Sequence, residues 1–369
     1  MKTFGMILLC ALLIVPSSGC GRSKSKGTMS PVAKQEESPL YEIVEVAQSE
    51  QQWTGVAVSR DGRIFVCYPR WSDYVPMSVG EVVSETEVVP YPDKNLNAWN
   101  LTGSVRDQFV CVQSLYIDAA NNLWILDAGN PKFEKLIDGA PKLMRVDVQT
   151  NKVVHTYRFE SGVLGPNCYL NDVRVDNEKE VAYLTDSGEG AIFVLDLRTG
   201  ETRKLLGDHR STKSEGAKVR VQGHEWRRNG ERPQVHADGL ALTPRGDWLY
   251  YQALTARTLY RIPTSALLDR TLSPEAVEAQ VEKVREGSAV DGMIFSDDGF
   301  LYLTNIEASA INRLTPGGTV QNVAQDSRMK WPDSFSIDDL GHIYVTTSQV
   351  HLGEKRTEPY RLFRIRNIP

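Results

Sequence analysis

The sequence is poor in the residues that metal cages and redox chemistry need. Its 369 residues hold five cysteines and six histidines. No pair of cysteines is spaced as CxxC and no histidines stand at ligand spacing, which excludes a zinc cage or a dithiol redox motif. There is no GxxxxGK[ST] phosphate loop, no GxSxG nucleophile elbow, no HExxH and no strand-linked GxGxxG. P-loop nucleotide chemistry, α/β-hydrolase catalysis, zincin proteolysis and dinucleotide binding are thereby set aside. A net charge of only −5 gives no basic surface for nucleic acid or anionic lipid. The one arginine-rich run, Arg227, Arg228 and Arg232, lies among Glu225 and Glu231 and reads as a solvated loop.

Long apolar runs are also missing. The longest, Met6 to Val15, is too short to span a bilayer but suits a signal-peptide core, with Lys2 ahead of it. Pro16-Ser17-Ser18-Gly19-Cys20 follows and resembles a bacterial lipobox, although Ser17 stands where leucine is usual. Residues 1–20 are therefore expected to be a lipoprotein-type signal, with Cys20 lipidated as the mature N-terminus and ordinary secretion as the alternative. Residues 21–40, rich in Ser, Lys, Gln and Glu, read as a flexible tether. The body, 41–369, is then held at a periplasmic or cell surface through that anchor alone. Cys67, Cys111 and Cys168 remain, an odd number that permits one disulfide at most. Cys67 and Cys111 lie in apolar runs and read as buried free thiols.

What the sequence has is a repeated unit, clearest in Asp291–Leu314. Met293-Ile294-Phe295 is a short apolar strand, Ser296-Asp297-Asp298-Gly299 a turn, and Phe300 to Thr304 a second strand. Ala310 to Leu314 and Thr319 to Ala324 complete four antiparallel strands. Matching copies begin near Trp53, Val112, Asn171, His236 and Trp331, at spacings of roughly forty to sixty-five residues. Strands so short and numerous need radial repetition to protect their edges. The fold class predicted is all-β, a six-bladed propeller of four-stranded antiparallel blades, with Tyr41–Val46 and Tyr360–Ile365 closing the ring. A single helix is expected from Ser273, with Pro274 and Glu275 in its first turn and Val277, Val281 and Val284 on one face. It is placed on the rim between the fourth and fifth blades.

In such a meander the first strand starts, and the second ends, at one face of the disc. Residues there converge on a mouth of the central channel. First-strand starts supply Gln113, Asn171, Asp172, His236, Asp238, Asp291 and Asp333; second-strand ends supply Asp127, Asp186, Asn305 and Glu307. No Lys or Arg occupies these positions. One reading is a site for Ca2+, with Asn171, Asp238 and Asp291 as ligands, or for a cationic molecule such as an amine. The other is that Asp-Gly and Asn-Asp are turn formers repeated with the blade. Unpaired carboxylates facing one another raise each other's pKa unless something positive sits between them. Trp71, Tyr74, Tyr91 and Trp331 either line an aromatic mouth or wedge the blades apart. His236 reads as a structural hydrogen-bonding partner.

Several segments in register carry a family resemblance. They include Gly62-Arg63-Ile64-Phe65-Val66 with Pro69-Arg70-Trp71, Pro90-Tyr91-Pro92, Val112 to Asp118 with Leu123 to Gly129, and Pro141-Lys142-Leu143. Ala237 to Leu242, Leu259 to Thr264 and Trp331-Pro332-Asp333 continue it. From about Trp53 onward the chain resembles the Yellow/major royal jelly protein family. That resemblance implies an exported six-bladed propeller, amine binding in some members and dopachrome conversion in others. The cysteine pattern of insect members is absent: Ala120 and Gly139-Ala140 stand where their cysteines are expected, so their disulfide is not expected here. Leu170-Asn171-Asp172, His236 to Gly239 and Val290 to Met293 are also similar to the metal-binding strand starts of calcium-dependent gluconolactonase/SMP-30 lactonases. Their first-blade glutamate has no counterpart near Trp53-Thr54. In that alternative Asp238 or Asp291 serves as the catalytic base beside Ca2+. The partner expected is a small amine, quinone or lactone bound by a monomer; a non-catalytic scaffold is the third reading.

Overall fold

The computed structural model describes residues 41–159 and 162–367. The proposed signal, tether and Cys20 lie outside the described residues.

Six four-stranded antiparallel sheets follow one another around a central channel. The first five, each innermost strand first, begin at Val56, Val112, Leu170, Ala237 and Met293. The sixth starts with Pro332–Ile337, Ile343–Thr347 and Tyr360–Asn367, and its outermost strand is Tyr41–Ser49 from the other end of the chain. Tyr41 pairs with Asn367 and Ser49 with Tyr360, so the ring closes through mainchain hydrogen bonds between the two ends, as expected.

Each blade is built by the same local rule. In the fifth, Met293–Phe295 pairs with Leu301–Asn305 across Ser296–Gly299, where Gly299 takes φ +84° and its N–H reaches the carbonyl of Ser296 at 2.9 Å. Only a residue free of a Cβ adopts that left-handed conformation without strain. Apolar side chains leave both faces of each blade and pack against the neighbour. Trp124, Leu126 and Leu143 of the second blade meet Leu170, Val173 and Leu184 of the third. Equivalent clusters fill the other five interfaces, so the core is a ring of six wedges rather than one centre. Tyr91 is such a wedge, 4.5 Å from Phe65 between the first two blades.

The expected helix is shorter and elsewhere. Ser273 caps it through Ala276 N–H at 3.3 Å, but it spans only Pro274–Glu278, and Val284 belongs to the outer strand Glu282–Glu286. It sits in the last connection of the fourth blade, where Val277 packs into the interface with the third blade. Cys67, Cys111 and Cys168 are all buried and free.

Candidate functional site

In four blades the residues at the strand starts reach the channel because the innermost strand bulges there, while Asp291 stands just ahead of a regular strand. Pairing skips between Val112 and Ser114, between Leu170 and Val173, between Ala237 and Gly239, and between Pro332 and Phe335. The residues set free are Gln113, Asn171 with Asp172, Asp238, and Asp333 with Ser334. A bulge leaves its residue outside the ladder and re-aims the side chain. Threonines of the second strands fill the gaps. Thr185 accepts the Asp172 N–H at 3.0 Å and donates to the Asp238 carbonyl of the next blade at 2.6 Å. Thr346 accepts from Ser334 N–H and donates to the carbonyl of Thr54.

The glycines after these aspartates are not turn residues. A Cβ on Gly239 would lie 2.2 Å from the carbonyl oxygen of Asp291, and one on Gly292 would lie 2.1 Å from that of Asp333. Neither has a positive φ. Asp-Gly recurs because the innermost strands of adjacent blades touch backbone to backbone, which corrects the turn-former reading.

Gln113, Asn171, Asp238, Asp291 and Asp333 line a cavity of about 850 Å3 at this mouth. Asn171 donates its amide N–H to Asp238 at 2.9 Å and to Ser187 at 3.1 Å. Asp238 and Asp291 stand within hydrogen-bonding reach of each other. The other expected positions do not reach the cavity wall. Asp127 is fully buried and takes the N–H groups of Val110, Cys111 and Gly129 at 2.7, 2.8 and 3.0 Å, plus Lys142 Nζ at 2.9 Å. Asp186 accepts from Tyr169, Gly188 and Glu189 in the same way. Asn305 caps its own turn through Ala308 N–H, and Glu307 pairs with Arg257. At the end of a second strand the side chain turns into the blade to satisfy loop amides rather than toward the channel. His236 accepts Ser214 N–H on Nδ1 at 3.0 Å, and burial lowers its pKa, so it is the structural partner expected.

The channel also holds a cation that the sequence reading missed. Arg174 extends from the third blade, bonds Asp172 at 2.7 Å, and crosses to the Met293 carbonyl of the fifth blade at 2.6 Å. Asp172, which also accepts from Ser114 Oγ at 3.0 Å, is thus ion-paired below the mouth.

Asp238, Asp291 and Asp333 have no cationic side chain among their bonded partners. Burial, then the charges of Asp333 and Asp172, pushes Asp238 well above the carboxylate range. Burial and the charges of Asp333 and Asp238 do the same to Asp291, which touches the cavity but is otherwise enclosed by protein. Asp333 is pushed up to about 6, chiefly by burial. The folded state therefore holds a proton on Asp333 that the unfolded chain has released, between about pH 4 and pH 6. Stability falls as pH rises through that window, and the whole penalty is present above it. Asp333→Asn is expected to raise the melting midpoint by about 2–4 °C at pH 7.5 and to leave it unchanged near pH 4, read by paired thermal melts.

Ca2+ does not fit these residues as they stand. It takes six to eight oxygens, whereas Asn171 presents an N–H and the Trp331 indole N–H occupies Asp291 at 2.5 Å. Among the described residues no three of His, Cys, Asp and Glu stand close enough to share an ion.

Aromatic side chains wall the cavity above this floor. Trp71 donates to Tyr169 OH at 2.7 Å, and that phenol donates to Gln113 at 2.8 Å. Phe133 stacks on Tyr169 at 4.5 Å. Opposite, Trp331 meets Trp226 edge-on at 4.8 Å and stacks on His351 at 5.8 Å, and burial lowers the His351 pKa to about 4. Trp71 is the mouth aromatic expected; Trp331 is fully buried behind the wall, where its indole holds Asp291, and Tyr74, 75% exposed, lies off the cavity. Trp226, Phe133, Tyr169 and His351 carried no repeat signal, since they sit in connections of irregular length. Nor is the arginine run only a solvated loop. Arg227 and Arg232 pair with Glu225, while Arg228 lies 4.4 Å over the Phe133 ring, drawing the connection between the third and fourth blades across the mouth.

A family model of the major royal jelly protein matches residues 110–367. Protein yellow of Drosophila madeirensis is 24% identical over 270 residues, 68% of this chain and 46% of that protein. Protein yellow of Drosophila melanogaster is 23% identical over 270 residues, covering 68% and 48%. The chain spans about half the length of the curated relatives it matches. Among solved structures, a gluconolactonase from Xanthomonas campestris superimposes with a TM-score of 0.54 at 12% identity, over 89% of this chain and 90% of that one. A calcium-binding protein, regucalcin, from Agrobacterium tumefaciens gives 0.53 at 12% identity, over 88% and 96%. At such identity these two likenesses speak for the propeller fold alone. The family match covers five of the six blades and includes the bulged strand starts from Gln113 to Asp333, so this chain belongs to the major royal jelly protein family.

Proposed function

We propose that the chain binds a small organic cation of the amine class in the aromatic-walled cup. The observation that carries this reading is the acid floor of the cavity, where buried Asp238 and Asp333 and half-buried Asp291 hold one another's carboxyls above the usual range. An ammonium group placed against the Asp238 and Asp291 pair relieves the repulsion, and the rings of Trp71, Phe133, Tyr169 and Trp226 suit an organic body better than a bare ion. Because Asp238 and Asp291 must release their proton to meet a cation, affinity should weaken as pH falls through their raised pKa values. Calorimetry with tyramine, dopamine and serotonin tests the reading. Asp291→Asn keeps the bond from Trp331 but loses the charge, and should weaken binding about tenfold to a hundredfold. Equal affinity for the uncharged alcohol analogues would sink the idea.

The close pair Asp238 and Asp291 supports a second reading, acid–base isomerisation. With one carboxyl protonated and its neighbour ionised, the carboxylate can take a proton from a carbon of the ligand while the carboxylic acid gives its proton to another atom, as dopachrome tautomerisation requires. Loss of dopachrome colour with no added oxidant, abolished in Asp238→Asn, would support it; a rate equal to buffer rejects it. A calcium-dependent lactonase is not adopted, because the donors at the mouth do not fit Ca2+. Export with a lipid on Cys20, and a monomeric body, belong to the same proposal. The mass of the N-terminal peptide and the sedimentation of the purified chain check them.

A further inference from the structure

The guanidinium of Arg174 sits in a cage of oxygens. It donates to Asp172 Oδ1 at 2.7 Å, to the carbonyl of Val173 at 2.6 Å and to the carbonyl of Met293, across the channel, at 2.6 Å. It also lies 5.2 Å from the Tyr116 ring of the second blade. Three blades therefore converge on one buried cation, and Arg174 is only 6% exposed. One carboxylate oxygen and two strand carbonyls, two of them from the neighbouring Asp172 and Val173 and the third from Met293 two blades on, are the donor types that a hard divalent cation prefers. Here the N–H groups of an arginine occupy all three.

We infer that Arg174 is the resident cation of the channel, holding the place that a divalent metal ion would take and making the acid floor independent of metal. Two consequences follow from charge and space. The wild-type chain gains nothing from Ca2+, since a second cation would meet the guanidinium. Shortening Arg174 leaves Asp172 unpaired near Asp238 and Asp333 and opens a void lined by the three freed oxygens, with room for an ion and its waters. The inference does not rest on the amine reading, because it concerns the channel with no organic ligand present.

The test is a set of thermal melts of the wild-type chain, Arg174→Ala and Asp172→Asn/Arg174→Ala, each in chelator and in millimolar Ca2+. The wild-type midpoint is expected to stay put. Arg174→Ala should melt lower in chelator and recover by at least about 4 °C with Ca2+, since an ion that binds only the folded state stabilises it. The double variant, without the carboxylate, should lose that recovery. Sensitised terbium emission from Tyr116 gives a readout separate from stability, present in Arg174→Ala and absent in the wild type. Should Arg174→Ala fail to fold in chelator, the comparison moves to refolding. Recovery with Ca2+ but not with Na+ of equal ionic strength supports the assignment, and no recovery overturns it. It is also overturned if Ca2+ raises the wild-type midpoint as much, or leaves a folded Arg174→Ala unmoved.

Discussion

Gly239→Ala is expected to lower the melting midpoint by about 5–10 °C and to abolish ligand binding, although it adds one methyl group. The added Cβ would stand 2.2 Å from the Asp291 carbonyl oxygen and 3.2 Å from the Met293 methyl. The first contact is with backbone just ahead of the innermost strand Met293–Phe295, held by the Asp291 N–H on Thr304 Oγ1 and the Thr304 N–H on the Gly292 carbonyl, so it cannot rotate away as a side chain would. Relief requires the fourth and fifth blades to separate where Asp238 and Asp291 face each other, which couples the stability loss to the site. The contrast is Gly299→Ala. There φ is +84° but the nearest atom is Pro316 Cγ at 3.8 Å, and the cost should be about 1 kcal/mol of backbone strain with binding intact. Thermal melts with amine titration separate the two; equal losses would mean that Gly239 is needed only for its conformation.

Lys142→Met should cost about 3–5 kcal/mol, the range for removing one partner of a buried pair. Lys142 and Asp127 are both fully enclosed, and Lys142 also donates to the carbonyls of Val105 and Ala140 at 3.1 and 2.9 Å. Three elements of the second blade and the loop before it meet at that ammonium group. The third blade offers a natural comparison, since Asp186 occupies the equivalent strand end and Ala191 pairs where lysine would stand. Asp186 holds its loop with amides alone and has one oxygen without a partner. Lys142 and Asp127, buried in direct contact, should show strong coupling. In a cycle with Asp127→Asn, the two losses should fall well short of additivity in denaturant unfolding. Additive losses would reduce the pair to two separate capping contacts.

Strand starts and ends, and the order of the blades, were legible because each repeat carries a run of apolar residues, a turn with Gly or Asp, and a second apolar run. That pattern is local, and so is the hydrogen bonding it specifies. Closure by Tyr41–Ser49 on Tyr360–Asn367 was also foreseeable, since an unpaired outer strand at each end of the repeats has no other partner. The helix was overextended because Val277, Val281 and Val284 also fit a short turn running into an edge strand. Among the ring residues, Gln113, Asn171, Asp238, Asp291 and Asp333 reach the cavity and Asp127, Asp186, His236 and Asn305 do not. The difference lies in which way a side chain leaves a bulge or a strand end, a matter of pairing register that no spacing rule records.

The sequence by itself determined the repeat, the number of blades and the acidic character of one channel mouth, because each follows from patterns read within a few neighbouring residues. Only the tertiary structure decided that Asp-Gly marks contact between blades, that Arg174 lies across the channel from blade three to blade five, and that Trp226, Arg228 and Phe133 roof the cup. Each of those joins residues separated by a blade or more. Their meeting depends on the angle at which the wedges close, and that angle is set by the packing of all six interfaces together.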